Sequence, residues 1–272
     1  MIKLEHELTK DTLFKMLFTK HRWLLKQLVA SLLEIDYKSI KRFTILNPEM
    51  PPDEIKKKFC RFDIKMTVGG KLVSLELQIK NEGNYPERSF YYLARNVSTT
   101  LEEGEDYKDI PRTIMINILG FTLFPDPAKI HSEFKMLEVT SHEALTDKIV
   151  MHFFELPKLS DQLASSSGWQ MWLKLINAKT EEDLAALEAL GGSVMKRAIR
   201  AYRSVSASAE YAEIERLRHK ANHDEAQAIG NAERRGEARE REKWQGVVDD
   251  KDALIAQLME QLKNSQNNTS NT

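Results

Sequence analysis

Two acidic residues are set to face each other in the stretch RFDIKMTVGGKLVSLELQIK, Arg61 to Lys80. Apolar and polar residues alternate on both sides of Gly69-Gly70, the pattern of two half-buried strands joined by a tight turn. With the glycines at the loop centre, Val68 faces Lys71, Met66 faces Val73, Ile64 faces Leu75 and Phe62 faces Leu77, which gathers the apolar side chains on one face. The opposite face then sets Lys65 against Ser74, Asp63 against Glu76 and Arg61 against Gln78. A one-residue slip would turn one strand inside out, so the alternation specifies this register. Directly opposed residues have Cβ atoms about 4.5–5.5 Å apart, and like charges at that spacing destabilise a sheet. A shared proton, with one pKa raised, would offset the repulsion, and so would a nearby cation. A carboxylate pair also suits Mg2+, which binds through one or two carboxylates plus waters and substrate phosphates. The plainer reading is a solvated sheet face on which Arg61, Lys65 and Lys80 neutralise the acids. The elements around the hairpin tip the balance towards a site.

Upstream, DTLFKMLFTKHRWLLKQLVASLLE (11–34) has helical spacing, with Leu13, Leu17, Leu24, Leu28 and Leu32 near one face and Thr9 or Asp11 as N-cap. Residues 42–46 read as a short strand, and NPEMPPDE (47–54) as punctuation. Downstream, NEGNYPERSFYYLARNVSTTLEEG predicts a helix with Pro86 in its first turn and Gly104 as a stop. Its apolar stripe is Phe90, Leu93, Ala94, Val97 and Leu101, and Arg88, Tyr92, Arg95 and Thr99 share the other face. RTIMINILGFTLF (112–124) is a continuous apolar run of the kind a fully buried strand carries. Residues 133–139 and 149–156 read as further strands, and the pattern turns helical after Pro157, with Trp169 and Trp172 in the core.

The composition is globular, at 42% apolar and 30% charged residues, and the net charge of −1 gives no overall basic footprint. Nucleic-acid contact must then come from local patches. The lone cysteine, Cys60, excludes an intrachain disulfide and a Cys-based zinc site, and reads as a small buried apolar residue. A chain with one cysteine, a charged N-terminus without the apolar core of a signal peptide and no long uncharged apolar run is expected in the cytoplasm and off the membrane. Of the seven histidines, His219 and His223 stand one helical turn apart but lack a third ligand, so they read as solvated. No phosphate-cradling glycine loop or nucleophile elbow is present to support a small-molecule enzyme.

An Asp on one strand, Glu-x-Lys or Glu-x-Gln on the next, and then a helix form the signature arrangement of the PD-(D/E)XK nucleases; here it stands as Asp63, then Glu76-Leu77-Gln78. DTLFKMLF, FDIKMTVGGKLVSLELQ, ERSFYYLARN and FFELPKL follow in order, and together the set resembles the PD-(D/E)XK nuclease family transposases, related to the Rpn recombination-promoting nucleases, over about residues 8–175. The resemblance implies an α/β fold: a restriction-endonuclease-like core with a mixed central sheet flanked by helices, here with a C-terminal helical extension. It further implies Mg2+-dependent hydrolysis of DNA phosphodiesters, with Mn2+ as a substitute metal, and a tie to recombination or transposition. Asp63, Glu76 and the Leu77 carbonyl would hold the metal. Gln78 stands where the family lysine orients water and supports developing charge; it can orient water but brings no charge. Lys80 or Lys65 would then replace that charge, or Lys80 is an ordinary strand-end lysine. Arg88 and Tyr92 match family positions and either touch substrate phosphate, with Lys65, or brace the site. Asp11 and Lys15 match accessory positions, Asp11 reading first as a helix start.

From about Ala209 the sequence is dense in Glu, Arg, Lys and Ala, which predicts an exposed helix or a disordered segment. Val248, Ile255, Leu258 and Leu262 follow heptad spacing further on and offer a route to a homo-oligomer through this helix. The expected organisation is a nuclease-like domain over 1–206, a charged coiled-coil-like tail over 207–264 and a disordered end over 265–272. Two function classes follow: a metal-dependent DNA endonuclease, or a catalytically weak fold of the same kind that binds nucleic acid or a protein partner and assembles through its tail.

Overall fold

The computed structural model describes residues 2–47, 49–50, 60–61, 63–160 and 168–269, with backbone alone at 49, 50, 60, 61 and 262–269. The environments of Cys60, Arg61, Phe62 and Leu262, and the expectation for the end of the chain beyond 269, lie outside the described residues. By its internal contacts the chain divides into two units, 1–212 and 213–272.

The apolar spacing over 11–34 produces two helices rather than one, α1 (Asp11–Lys20) and α2 (Arg22–Leu32). His21 leaves the helical region (φ −106°, ψ 70°), yet its N–H still donates to the Leu17 carbonyl and its own carbonyl accepts from Leu24 and Leu25. The chain therefore turns and restarts without exposing unpaired backbone, and all five periodic leucines are buried. Lys10 takes the N-cap position without a side-chain bond, so neither Thr9 nor Asp11 caps α1 and Asp11 is its first residue.

A mixed six-stranded sheet runs in the order β1-β4-β5-β6-β8-β7. Its strands are β1 (Phe43–Leu46), β4 (Ile64–Val68), β5 (Lys71–Gln78), β6 (Thr113–Leu119), β7 (His131–Lys135) and β8 (Ile149–Glu155). β4 and β5 have the register expected from the alternation, Ile64 with Leu75 through Val68 with Lys71. Gly69 (φ 58°) and Gly70 (φ 84°) both take positive φ, as a primed hairpin turn demands. The first hairpin strand is shorter than its sequence pattern. β3 (Cys60–Arg61) pairs with β2 (Glu49–Met50) in a separate ribbon, and Asp63 sits in a bend before β4. β5, β6 and β8 are parallel, with α3 (Tyr85–Ser98) as the crossover from β5 to β6.

The parallel registers align Glu76, Asn117 and Phe153 on one face of the sheet, and Leu75, Ile116 and His152 on the other. α3 covers the first face through polar contacts. Asn96 Nδ2 donates to Ser74 Oγ at 2.9 Å and Tyr85 Oη donates to Asn117 Oδ1 at 2.9 Å. These bonds rotate the helix away from its apolar stripe. Tyr85, Ser89, Leu93 and Asn96 are buried, whereas Ala94 is exposed and Phe90 is 65% exposed. The other face meets α4 (Gly168–Asn177), where Phe154 packs on Trp169 and Trp172 packs on Phe18 of α1. α5 (Glu181–Leu190), opened by a Thr180/Asp183 capping box, and α6 (Gly192–Ser206) complete this layer. β7 begins earlier and ends sooner than the apolar run at 133–139 suggests, because the chain after Lys135 folds into a small arm in which Leu137 bridges Ala144.

α7 (Ala209–Thr269) is a continuous helix. Its first turn belongs to the first unit, where Tyr211 is fully buried against the His6 ring. Within the second unit Val248, Ile255 and Leu258 are exposed, as are His219 and His223.

A buried ion pair braces the end of β8. Lys158 Nζ lies 2.6 Å from Glu155 Oε2, with the two side chains 3% and 0% exposed. Glu155 Oε1 also accepts the backbone N–H groups of Leu123 (2.5 Å) and Phe124 (3.1 Å), and Lys158 donates to the Phe124 carbonyl at 2.8 Å. Removing one partner of such a pair leaves a buried charge unmatched. Lys158→Met is therefore expected to cost about 3–5 kcal/mol, read as a lower urea midpoint at unchanged slope.

Candidate metal centre

Asp63 and Glu76 meet at the C-terminal end of β5, where each carboxylate grips the other's strand. Asp63 N–H donates to Glu76 Oε1 at 3.0 Å, and Leu77 N–H donates to Asp63 Oδ2 at 2.7 Å. The bend at Asp63 makes this exchange possible, because a residue taken out of the ladder has a main-chain N–H to give to a side chain. The Gln78 carbonyl accepts from Gly120 N–H of the β6 side at 2.8 Å. Main-chain groups alternate along a strand, so the Leu77 carbonyl one residue earlier points the opposite way, towards Asp63.

The repulsion expected between the two acids is met in two ways. Lys15, from α1, places Nζ 2.9 Å from Asp63 Oδ1 and 2.9 Å from Asp11 Oδ1. Burial alone would lower the Lys15 pKa, but the charge of Asp63 and the bonds to Asp11 and Asp63 raise it, so the ammonium is held in its charged form. Asp63 is raised by burial, with Lys15 acting against that shift. Glu76 is only 6% exposed, and burial together with the negative charge of Asp63 pushes its pKa well above the usual carboxylate range. Glu76 thus carries the strain of the pair and Asp63 has the counter-ion.

The first turns of α3 bring the next shell. Arg88 donates to Gln78 Oε1, reaches Glu82 at 3.2 Å, and stands 5.0 Å from the centre of the Tyr85 ring and 6.0 Å from that of Tyr92. Gln78 Nε2 in turn donates to the Lys80 carbonyl at 2.8 Å. Both ends of the Gln78 amide are therefore engaged. β5 ends at Gln78, so the strand alternation that aimed Lys80 at the site does not extend to it; Lys80 is exposed and enters through its backbone. Lys65 shares the sheet face of the carboxylates, opposite Ser74, and burial lowers its pKa. Tyr92 is half-buried beside Leu93 and Met115.

Two residues beside Glu76 escape a reading of the sequence. Tyr85 packs over the site with its phenol pKa pushed well up, first by burial and then by Glu76. Its partner Asn117 is in register with Glu76 and donates to the His152 carbonyl at 3.0 Å. The signal was one amide inside the apolar run IMINIL, since a polar side chain in a fully buried strand must have partners. Gly120 closes the site edge. A Cβ there would lie 2.9 Å from Ile79 Cα, so only glycine lets β6 end this close to the Gln78–Lys80 turn.

The donor set suits a hard divalent cation: two carboxylates and a carbonyl, all oxygen, at a point where negative charge is in excess. Among the described residues no group of three or more His, Cys, Asp or Glu side chains is arranged to hold a metal, so such an ion would depend on the carbonyl, water and substrate for its remaining ligands. No described helix is long and apolar enough to cross a membrane.

A family model described as PD-(D/E)XK nuclease family transposase matches residues 8–232, past the strands and helices of the first unit and into α7. No curated protein and no solved structure matches the chain. With most of its length covered by that family, the chain belongs to the PD-(D/E)XK nuclease family transposases and is of nuclease type.

Glu76→Gln keeps the acceptor for Asp63 N–H and removes the like charge. A carboxyl whose folded pKa is raised loses stability as pH climbs above its unfolded value and stops losing it above its folded one. The variant is expected to exceed the parent by up to about 1 kcal/mol at neutral pH without metal, the two converging near pH 4, in urea titrations across that range.

Proposed function

We propose that this member of the PD-(D/E)XK nuclease family transposases is a Mg2+-dependent DNA endonuclease, with a link to recombination or transposition, centred on Asp63, Glu76 and the Leu77 carbonyl. The observation that carries the reading is the pair of buried carboxylates locked crosswise to each other's backbone, with their excess charge unmatched at Glu76. A divalent cation bound there would polarise a phosphate oxygen and lower the pKa of a bound water, and Mn2+ would serve in place of Mg2+. The chain's own residues prepare that site. Lys15 fixes Asp63 by one oxygen and Asp11 fixes Lys15, which makes both positioning residues. Burial and the charge of Asp63 raise the Glu76 pKa, so a proton and a cation compete for its carboxylate.

Arg88 is the residue that brings positive charge to the Gln78 end of the site. Its guanidinium draws the Glu76 pKa down and is anchored by Gln78, Glu82 and the Tyr85 ring. Gln78 then acts as a bracket for Arg88 rather than as the group that orients water, and Lys80 contributes its carbonyl to the same bracket. Arginine suits this post because its planar fork recognises phosphate through paired bonds and keeps its charge when partly buried. An open depression of about 610 Å3 on α3, lined by Arg88, Tyr91 and Tyr92, offers charge and ring faces to a DNA strand, with Lys65 on the neighbouring sheet face.

The second reading, a catalytically weak fold that binds nucleic acid or a protein, rests on the same Gln78. Its amide is occupied at both ends, and the lysine that the motif favours is absent. Nicking of supercoiled DNA by the full chain in Mg2+, Mn2+ or EDTA separates the two. The nuclease reading expects metal-dependent nicking that Asp63→Ala and Glu76→Ala abolish, and that Arg88→Met lowers about 10²–10³-fold in kcat with the thermal midpoint preserved. DNA binding without nicking by the parent, at any metal, favours the second reading.

Metal affinity carries its own prediction. A cation competes with a proton for Glu76, whose pKa is raised, so Mg2+ is expected to bind more tightly as pH climbs above the usual carboxylate range, with proton release seen in calorimetry across buffers of different ionisation enthalpy. Glu76→Gln should remove the proton release.

A further inference from the structure

The two edges of the sheet are treated differently. At one edge, β1, the Arg42 carbonyl accepts from Gly69 N–H, so Phe43 points its main-chain groups outward, and Arg22 covers the Phe43 carbonyl at 2.9 Å. At the other edge, β7, the Ile130 carbonyl accepts from Glu155 N–H at 3.0 Å, which fixes the alternation. Ser132 and Phe134 turn their main-chain groups to β8, and His131, Glu133 and Lys135 turn theirs outward. Among the described residues no group bonds those outward N–H and C=O groups.

The side chains around this open edge are apolar to an unusual degree. Phe134 is 45% exposed, as is Leu137, and Met136 is 46% exposed; Phe134 and Met136 share a groove with the exposed Phe90 of α3. Phe134 and Met136 line one wall of an apolar groove of about 490 Å3, and Phe90, Leu93 and Val97 line the other. An unpaired edge flanked by exposed apolar surface is a template for strand addition.

We propose that the occupant is a second copy of this chain, with the two β7 strands paired antiparallel about a two-fold axis at Phe134. The charges single out this register. Outward-pointing residues must pair with outward-pointing residues, so the axis can pass through Phe134 or step along to Ser132, Glu133 or Lys135. An axis at Glu133 or at Lys135 sets like charges directly opposite each other, which destabilises a sheet, and an axis at Ser132 sets Lys135 opposite Lys129. An axis at Phe134 sets Glu133 of each copy against Lys135 of the other, twice, and brings the two Phe134 rings together at a close, non-hydrogen-bonded position. Within one chain Glu133 and Lys135 already lie 2.8 Å apart, so pairing joins two ion pairs into a network of four charges. This interface uses no residue of α7 or of the carboxylate centre, and it does not depend on nuclease activity.

The test is sedimentation equilibrium on the full chain. A dimer is expected for the parent, with Glu133→Lys and Lys135→Glu each weakening it about tenfold and the double exchange restoring it, because the exchange recreates both opposite-charge pairs. Phe134→Cys in a Cys60→Ser background should cross-link as a disulfide on mild oxidation, since Cα atoms at such a position lie about 4.5 Å apart, within disulfide range. A parent that stays monomeric, a dimer indifferent to both charge reversals (as association through α7 would be), or a double exchange that remains weakened would overturn the proposal. The cross-link keeps it falsifiable where a charge reversal impairs folding, and absence of the cross-linked species counts against it.

Discussion

The crosswise bonding of Asp63 and Glu76 is the constraint around which the first unit is arranged. Two acids in a low-exposure corner would drive the strands apart unless each had a donor. Here each takes one from the backbone beside the other, so the like charges that oppose the pairing also fasten the bend before β4 to the end of β5. The neighbouring elements answer to that corner. α1 delivers Lys15, α3 delivers Tyr85 and Arg88, and the close approach at Gly120 lets β6 end beside Gln78. The result is a close pair of acids held by a rigid frame, the condition that raises a carboxyl pKa and favours a cation beside it.

Polar groups carry much of the packing around this corner, and they do so in pairs that leave few loose ends. Tyr85, Asn117 and the His152 carbonyl form a chain through the middle of the sheet. Asn96 and Ser74 dock the helix about three turns further on, and Glu155 with Lys158 closes the loop after β6. Directional bonds of this kind favour one arrangement where an apolar core would tolerate several, although Asn96 Oδ1 is buried without a partner among the described residues. Polar docking also explains why α3 presents Phe90 and Ala94 outward. The helix is oriented by its hydrogen bonds, and its apolar stripe is left to line the groove beside β7.

The position of Gln78 shows how a departure from a motif can be absorbed. A neutral amide cannot supply the charge of a lysine, but it has a donor and an acceptor, and here these hold Arg88 and the Lys80 turn. The positive charge beside Gln78 stands on the helix, on Arg88. In the proposed centre the glutamine is a bracket, and the strength of the site rests on a guanidinium that the motif does not name.

Much of this was legible in the residues alone. Alternation around two glycines set the β4–β5 register because a slip of one residue inverts a strand, and the same counting placed Asp63 against Glu76 before any coordinates. The buried run at 113–119 read as a strand because a segment covered on both faces has no polar period, and the ordered motifs named the family that matches residues 8–232. Tertiary structure decided what periodicity cannot express. It broke the first hairpin strand at Asp63, split the N-terminal helix at His21, and rotated α3 off its apolar stripe. It also brought Lys15 to Asp63 and Tyr85 to Asn117, each far from its partner in sequence. Each of these depends on a hydrogen bond or ion pair between elements, and such bonds are fixed by where elements meet, whereas local alternation records only which face of one element is dry.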